Sequence, residues 1–322
     1  MAMRTLRTIC VLAAMLSLGS CQVLAVVFGS VFPSTTTLLK AQADLSGLIP
    51  SDSGGSFHVR VVESQGYGYV VVVGNPQSGS EAFFYDLDLN QKATFTSGLA
   101  GDAMMVDASG NIVLGSLLLN PANLKIVGTT NAANLNSPNG GGVDGFVDTL
   151  ANVQITAFGI NSSNTLNYAS FTTAWTFISS HITTLSSSLS NLQIDAILDD
   201  GNPSGNVTFV VGPQANNNTA RCYFFSTAKS NFTVATNVLD SSPLYRDNLY
   251  TNSFGYAQGS IFAYDSGSGS FVRIDPSTGS TQNSYYDASA SSNSCFAYRT
   301  SGGSFYGFDT NTRVLKKYGQ WW

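Results

Sequence analysis

Two side chains on which many enzymes depend are scarce in this 322-residue sequence. Glutamate occurs only at Glu63 and Glu81, and histidine only at His58 and His181. Neither histidine has another His or Cys at metal-ligand spacing, which argues against a zinc site. Glycoside hydrolysis needs a pair of carboxylates that usually includes a glutamic acid, and only Glu63 and Glu81 are available. Pairs made of two aspartates stay open, and no feature singles one out. A Ser-His-Asp triad stays open, because its members can lie far apart in sequence.

Charge is also sparse. Charged residues make up 10% of the chain, and the formal net charge is −5. No basic cluster is available to neutralise phosphates, so nucleic acid is not an expected partner. A low charge with many small polar residues is common among secreted proteins.

Residues that favour helices are few, whereas residues that favour strands and turns are abundant. Aspartate, which favours turns, occurs seventeen times against two glutamates. The hydrophobic content of 43% and the aromatic content of 11% exceed what disordered chains carry. This composition predicts an all-β fold with many short strands joined by polar turns.

The N-terminus has the three parts of a secretory signal. Met1 to Arg7 carries two positive charges, Thr8 to Leu18 is apolar, and the small residues Gly19 and Ser20 precede Cys21. The last four residues, Leu-Gly-Ser-Cys, resemble the lipobox of bacterial lipoproteins. The resemblance implies that residues 1–20 are a signal peptide and that Cys21 carries a diacylglycerol.

A signal anchor is the alternative interpretation of this N-terminus, because no charge occurs between Arg7 and Lys40. A membrane span needs about 20 apolar residues, and polar residues near residue 20 interrupt this one. Both interpretations place the main domain outside the cytoplasm. The lipoprotein interpretation predicts a domain in the cell envelope that is held to a membrane by lipid.

Two cysteines remain if Cys10 leaves with the signal and Cys21 carries the lipid. Cys222 and Cys295 are able to form a disulfide in an oxidising compartment. The sequence favours two separate buried thiols instead. The repeat described next places them two units apart, and a disulfide needs Cα atoms within about 7 Å.

After a predicted polar tether over residues 21–55, the chain repeats a pattern of apolar runs and turns. The clearest copies are Val71 to Phe95 and Phe209 to Val234. Turns aligned after the aromatic or aliphatic runs recur about every 45 residues, at Asp86, Asn120, Thr172, Ser226, Asp265 and Asp309. Units of this length with four short strands are typical of β-propellers. Residues 56–322 are therefore predicted to form a propeller of six or seven four-stranded blades, with a β-sandwich as the alternative.

Three further patterns are candidate sites. Asp86 to Asn90 begins like a calcium loop, but Gln91 stands where Gly is required and no Glu follows. We interpret it, and the acidic loop beginning at Asp199, as turns. The paired aromatics are candidates for stacking on sugars or, more simply, for packing against strands. These are Tyr285, Tyr286, Trp321 and Trp322.

The sequence thus nominates no catalytic, metal-binding or cofactor-binding residue, and Cys21 is its one predicted modification site. We expect a lipid-anchored protein that binds an envelope protein, a peptide or a glycan through a propeller face. A glycan hydrolase or lyase on the same scaffold, and a structural surface protein without a small ligand, are the alternatives.

Overall fold

The computed structural model describes the chain from Leu38 onward, with internal gaps. The described residues are 38–49, 57–74, 81–96, 104–130, 144–148, 152–160, 165–184, 192–199, 205–213, 221–229, 244–247, 254–291 and 293–321. Cys21 and the predicted signal lie outside them. In the part of the chain that is described, no helix has the length and apolar character needed to cross a membrane.

The described residues form 24 strands, as the turn-rich composition predicts. In chain order they are β1 Leu39–Asp44, β2 Phe57–Ser64, β3 Tyr67–Gly74, β4 Glu81–Asp86, β5 Gln91–Phe95, β6 Met104–Val106, β7 Ile112–Leu114, β8 Leu117–Leu119, β9 Ile126–Thr129, β10 Asp144–Asp148, β11 Val153–Ile160, β12 Thr165–Thr172, β13 Phe177–Thr184, β14 Leu192–Asp199, β15 Asn206–Pro213, β16 Arg221–Ala228, β17 Leu244–Asp247, β18 Gly255–Ala257, β19 Ser260–Asp265, β20 Ser270–Ile274, β21 Thr281–Tyr286, β22 Ser294–Arg299, β23 Ser304–Asp309 and β24 Val314–Tyr318.

These strands form six four-stranded blades of a β-propeller, so the predicted fold class is confirmed with six blades. Blades 1 to 5 are β2–β5, β6–β9, β10–β13, β14–β17 and β18–β21 in order, and blade 6 combines β22, β23 and β24 with β1. Neighbouring strands within a blade are antiparallel where their pairing is described. One parallel pair, Asp144 with Met104, links the first strands of blades 2 and 3. First strands therefore run in the same direction along the central channel.

The ring is closed by a strand from the N-terminal side of the chain. Strand β1 pairs with β24, from Leu39 opposite Tyr318 to Asp44 opposite Val314. Leu45 and Ile49, which follow β1, are fully buried between blades 6 and 1. The boundary predicted at residue 56 therefore needs correction, because residues 38–49 of the predicted tether belong to the propeller. The alternating burial of β1, half-buried then exposed, is that of an outer strand.

Apolar clusters between blades explain why the repeat requires a ring. Val71 and Phe84 of blade 1 pack in one cluster with Ile112 of blade 2, and Val72 packs on the other side with Phe308 of blade 6. Each of these sheets thus buries both of its faces, as propeller geometry requires. Similar clusters join blade 4 to blade 5 and blade 5 to blade 6.

Strand direction defines two faces of the propeller. The lower face carries the turns between first and second strands and between third and fourth strands. The upper face carries the turns between second and third strands and the connections between blades. Asp86 ends the third strand of blade 1, whereas Asp265 and Asp309 end second strands. The predicted equivalence of these turns was therefore wrong: Asp86 lies on the lower face and the other two on the upper face.

Candidate functional site

The turn at Asp86 uses its carboxylate to organise its own backbone. Asp86 Oδ1 accepts hydrogen bonds from the backbone N–H groups of Asp88 (3.0 Å) and Asn90 (2.9 Å). Lys92 Nζ lies 2.9 Å from Asp86 Oδ2. Partial burial acts to raise the pKa of Asp86, but the bonds from Lys92 and Asn90 outweigh it and lower the pKa to about 2. These contacts are those of an Asx turn, as the sequence interpretation proposed.

A matching turn in blade 2 also joins two blades. Strands β6 and β7 pair as a hairpin, from Met104 opposite Leu114 to Val106 opposite Ile112, and Asp107 begins its turn. Asp107 Oδ1 accepts hydrogen bonds from the backbone N–H groups of Ser109 and Asn111. Its Oδ2 accepts one from Trp175 Nε1 of blade 3, at 3.1 Å. This lower-face turn therefore binds blade 3 as well as organising itself.

The two glutamates lie at opposite ends of blade 1 and do not form a carboxylate pair. Glu63 is the penultimate residue of the first strand, at the lower face, and Glu81 begins the third strand at the upper face. Glu63 Oε1 binds Arg299 of blade 6 through Nε (2.9 Å) and Nη2 (2.7 Å). Its Oε2 accepts a hydrogen bond from Ser301 Oγ at 2.6 Å. The role that the structure gives Glu63 is to join blades 6 and 1.

Where the first strands of four blades meet, a cavity of about 150 Å³ opens in the central channel. Its walls come from blades 1, 4, 5 and 6. They are formed by residues 59–61, 197–199, 254–256, 296–298 and 300. Asp199 at its edge forms an ion pair with Lys229, at 2.5 Å between Oδ1 and Nζ, and the Lys229 side chain is 3% exposed. The cavity therefore combines apolar walls with charged side chains.

Arg60 is the second charged residue of this wall, and its contacts differ from those of the other arginines. Its Nε and Nη2 are buried without a hydrogen-bond partner among the described residues. Its Nη1 donates only a long bond, 3.4 Å, to the Val59 carbonyl. By contrast, Arg299 binds Glu63 through the same two nitrogens, and Arg273 Nε donates to Ser260 Oγ at 2.9 Å. No feature of the sequence distinguishes Arg60 from these residues.

A polar groove of about 310 Å³ adjoins the cavity between blades 4 and 5. Leu198 and Tyr256 line both spaces. The other described lining residues are Asn206, Thr208, Ser226, Pro276 and Ser277. Thr208 and Ser226 are cross-strand neighbours, with hydroxyl oxygens 3.4 Å apart. The groove thus presents hydroxyl and amide groups beside an aromatic ring.

The position of the groove follows from the burial of blade 4. Val210 and Phe224 pack against blade 5 in the apolar cluster between these blades. Toward the lower face, the same two strands continue with Thr208 and Ser226, which are smaller and polar. The apolar contact therefore ends there and the space opens. Residues 200–204 and 230–243, which connect strands of blade 4 along the chain, lie outside the described residues.

The paired aromatics lie away from both spaces. Tyr285 packs against Trp321 with ring centroids 6.2 Å apart, next to the cluster between blades 5 and 6. Tyr286, on the outer strand of blade 5, is 52% exposed. Packing is therefore the role that the structure gives Tyr285 and Trp321. Trp322 lies outside the described residues.

The remaining candidates are distributed over separate blades. Cys295 is a free buried thiol on the first strand of blade 6, and burial raises its pKa to about 12. Cys222 lies on the third strand of blade 4, so Cys222 and Cys295 do not lie on neighbouring strands. The predicted free state of Cys295 is confirmed.

His58 shares a face of β2 with Arg60, as the alternation of side chains along a strand predicts. His181 lies on β13, in blade 3.

Fold and geometry together define a six-bladed β-propeller with a concave region on blades 4 and 5 that extends into the central channel. No family model matches the chain, and no curated protein matches its sequence. Among solved structures, a chain of Kuenenia stuttgartiensis Hydrazine Synthase is similar to this one. The identity is 7% and the TM-score 0.48, over 84% of this chain and 96% of that chain.

Proposed function

We propose that this protein is a lipid-anchored, extracytoplasmic propeller that binds a glycan in the groove between blades 4 and 5. The observation that carries the proposal is the lining of that groove. Its described side chains are hydroxyl, amide, aromatic and apolar, and none of them is charged. Hydroxyl and amide groups donate and accept hydrogen bonds with a polyhydroxylated ligand. A concave space of this size lies within the range of small-ligand sites.

Blocking the groove tests glycan binding. We expect the purified domain to bind members of an oligosaccharide panel, and Ser226→Phe to abolish that binding because the new ring fills the groove. Ser284→Phe is the matched control, since Ser284 is exposed on the outer strand of blade 5. Failure of the wild-type protein to bind any oligosaccharide, or equal binding by Ser226→Phe, would refute the proposal.

The lipid anchor is supported by the N-terminal signal and its cysteine. One acyl chain anchors a protein only marginally, whereas two or more hold it firmly. We therefore expect the protein to remain with membranes through a high-salt wash. Labelling cells with a clickable palmitate analogue should mark the wild type but not Cys21→Ser. Equal labelling of the two would show that Cys21 is not the acylated residue and would favour the signal-anchor alternative.

A further inference from the structure

We propose that Arg60 is an oxyanion-binding residue in the central channel, and that its ligand carries a carboxylate or phosphate group into the cavity beside it. This inference goes beyond glycan binding in the groove, because it assigns a separate charged site. Arg60 differs in its contacts from the other three arginines whose side chains the structure describes.

Each of those three arginines has a partner that explains its position. Arg299 binds the Glu63 carboxylate. Arg273 binds Ser260 and lies over the Phe262 ring at 5.8 Å. Arg313 lies over the Phe57 ring at 4.9 Å and donates to the Thr310 carbonyl. Arg60 alone in this set has two buried guanidinium nitrogens without a partner.

A buried guanidinium is costly unless it is paired and hydrogen-bonded. The carboxylate on the same cavity wall is Asp199, and its Oδ1 is bound to Lys229 at 2.5 Å. The structure gives no ion pair between Asp199 and Arg60. No other carboxylate among the described residues lines the cavity, so we infer that a bound molecule supplies the counter-charge for Arg60.

The two unpartnered nitrogens also specify the chemistry of that molecule. Nε and Nη2 form one edge of the guanidinium, and Arg299 uses the same two nitrogens to bind the carboxylate of Glu63. This fork matches the oxygens of a carboxylate or a phosphate. Neither nitrogen is reached from solvent, so the Arg60 side chain must turn toward the cavity to pair. A space of about 150 Å³ has room for that movement and for a group of a few heavy atoms.

Melting temperature in the presence of small anions tests the site. The full-length protein is titrated with acetate, phosphate or sulfate, with ionic strength held constant by chloride. We expect a saturable rise of several degrees for at least one oxyanion, since a ligand of the native state alone raises stability. Arg60→Met should lose this response while its anion-free melting temperature does not fall. Arg273→Met, the matched control, should keep the response.

Equilibrium dialysis keeps the test valid if Arg60→Met does not fold. Radiolabelled phosphate should bind the wild type with one site per chain, or labelled acetate should do so if the ligand group is a carboxylate. Competition between the two identifies the preferred group. No binding of either anion, or an unchanged oxyanion response in Arg60→Met, overturns the proposal. Ser226→Phe should keep the anion response, so failure of the glycan proposal and failure of this one are distinguishable.

Discussion

At the scale of single residues, the lower face shows how similar carboxylates acquire different roles from their contacts. Asp86 binds the backbone of its own turn, whereas Asp107 does the same and also accepts a bond from blade 3. Glu63 binds a side chain of blade 6. Asp88 meets Lys317 at 2.8 Å, but its side chain is 81% exposed. Burial and the number of partners therefore decide what each carboxylate contributes.

The Glu63 and Asp88 pairs provide a matched comparison. Glu63→Gln removes a charge that holds three hydrogen bonds between blades, and we expect a loss of about 1–2 kcal/mol in the free energy of unfolding. Asp88→Asn removes an exposed pair and should change it by less than about 0.5 kcal/mol. Urea unfolding at pH 7 measures both. Equal effects of the two substitutions would contradict this account.

The pKa of Asp86 gives a prediction about pH. Its folded-state pKa of about 2 lies below the ordinary 3.8. The Asp86 carboxylate therefore stabilises the fold at pH values above about 4, and that contribution is lost as the pH falls toward 2. We expect Asp86→Asn to be less stable than the wild type at pH 7, with a difference that shrinks at pH 2. A difference that is the same at both pH values would exclude this carboxylate as its source.

At the scale of elements, the sequence predicts that strands occur, but not which of the four positions each strand takes within its blade. Two apolar runs that flank an Asp-to-Gly turn, as they do around Asp107, are typical of a hairpin, and the structure has one there. The sequence aligns Asp265 and Asp309 with Asp86, because aspartate forms the same kind of turn on either face of the propeller. Position within a blade depends on pairing between strands, which a short turn motif does not encode. Strand β1 was missed because the polar segments around it are typical of a tether.

The segment after β1 tests whether these residues belong to the propeller. Leu45 is fully buried, whereas Leu48, three residues later, is 41% exposed. Leu45→Ala should lower the free energy of unfolding by about 2–5 kcal/mol, because it leaves a cavity between blades 6 and 1. Leu48→Ala should change it by about 0.5 kcal/mol or less. Similar small effects for both would mean that residues 45–49 do not pack as described.

At the scale of the whole molecule, the closed ring was predictable and the site was not. A repeat near 45 residues implies a propeller, because a single four-stranded sheet cannot bury both faces. The groove and the cavity arise where blades meet, and the residues that line them lie far apart in sequence. Arg60 is one strand residue among others until its neighbours from three other blades are known.

Shared clusters between blades predict that the ring unfolds as one unit. Trp175 lies in blade 3, whereas Leu45 packs between blades 6 and 1. In a variant that keeps only Trp175 (Trp321→Phe, Trp322→Phe), we expect circular dichroism and tryptophan fluorescence to give coincident urea transitions. Leu45→Ala should move both midpoints equally, although it acts on the opposite side of the ring. Two separated transitions would show that the blades unfold independently.

Ring closure by β1 also has a mechanical consequence. Leu39 pairs with Tyr318 at the lower face, so the chain before residue 38 and the end of β24 are attached to one blade at one face. Any pull on the residues before Leu38 is carried first by Leu38 itself, whose N–H donates to Asp287 and whose carbonyl accepts a bond from Gly319, and then by the five described pairs between β1 and β24. Under tension these pairs separate in order from Leu39 toward Asp44. Tension applied at Leu38 therefore loosens blade 6 before blades 1 to 4, because the strand that completes the ring is the first to separate.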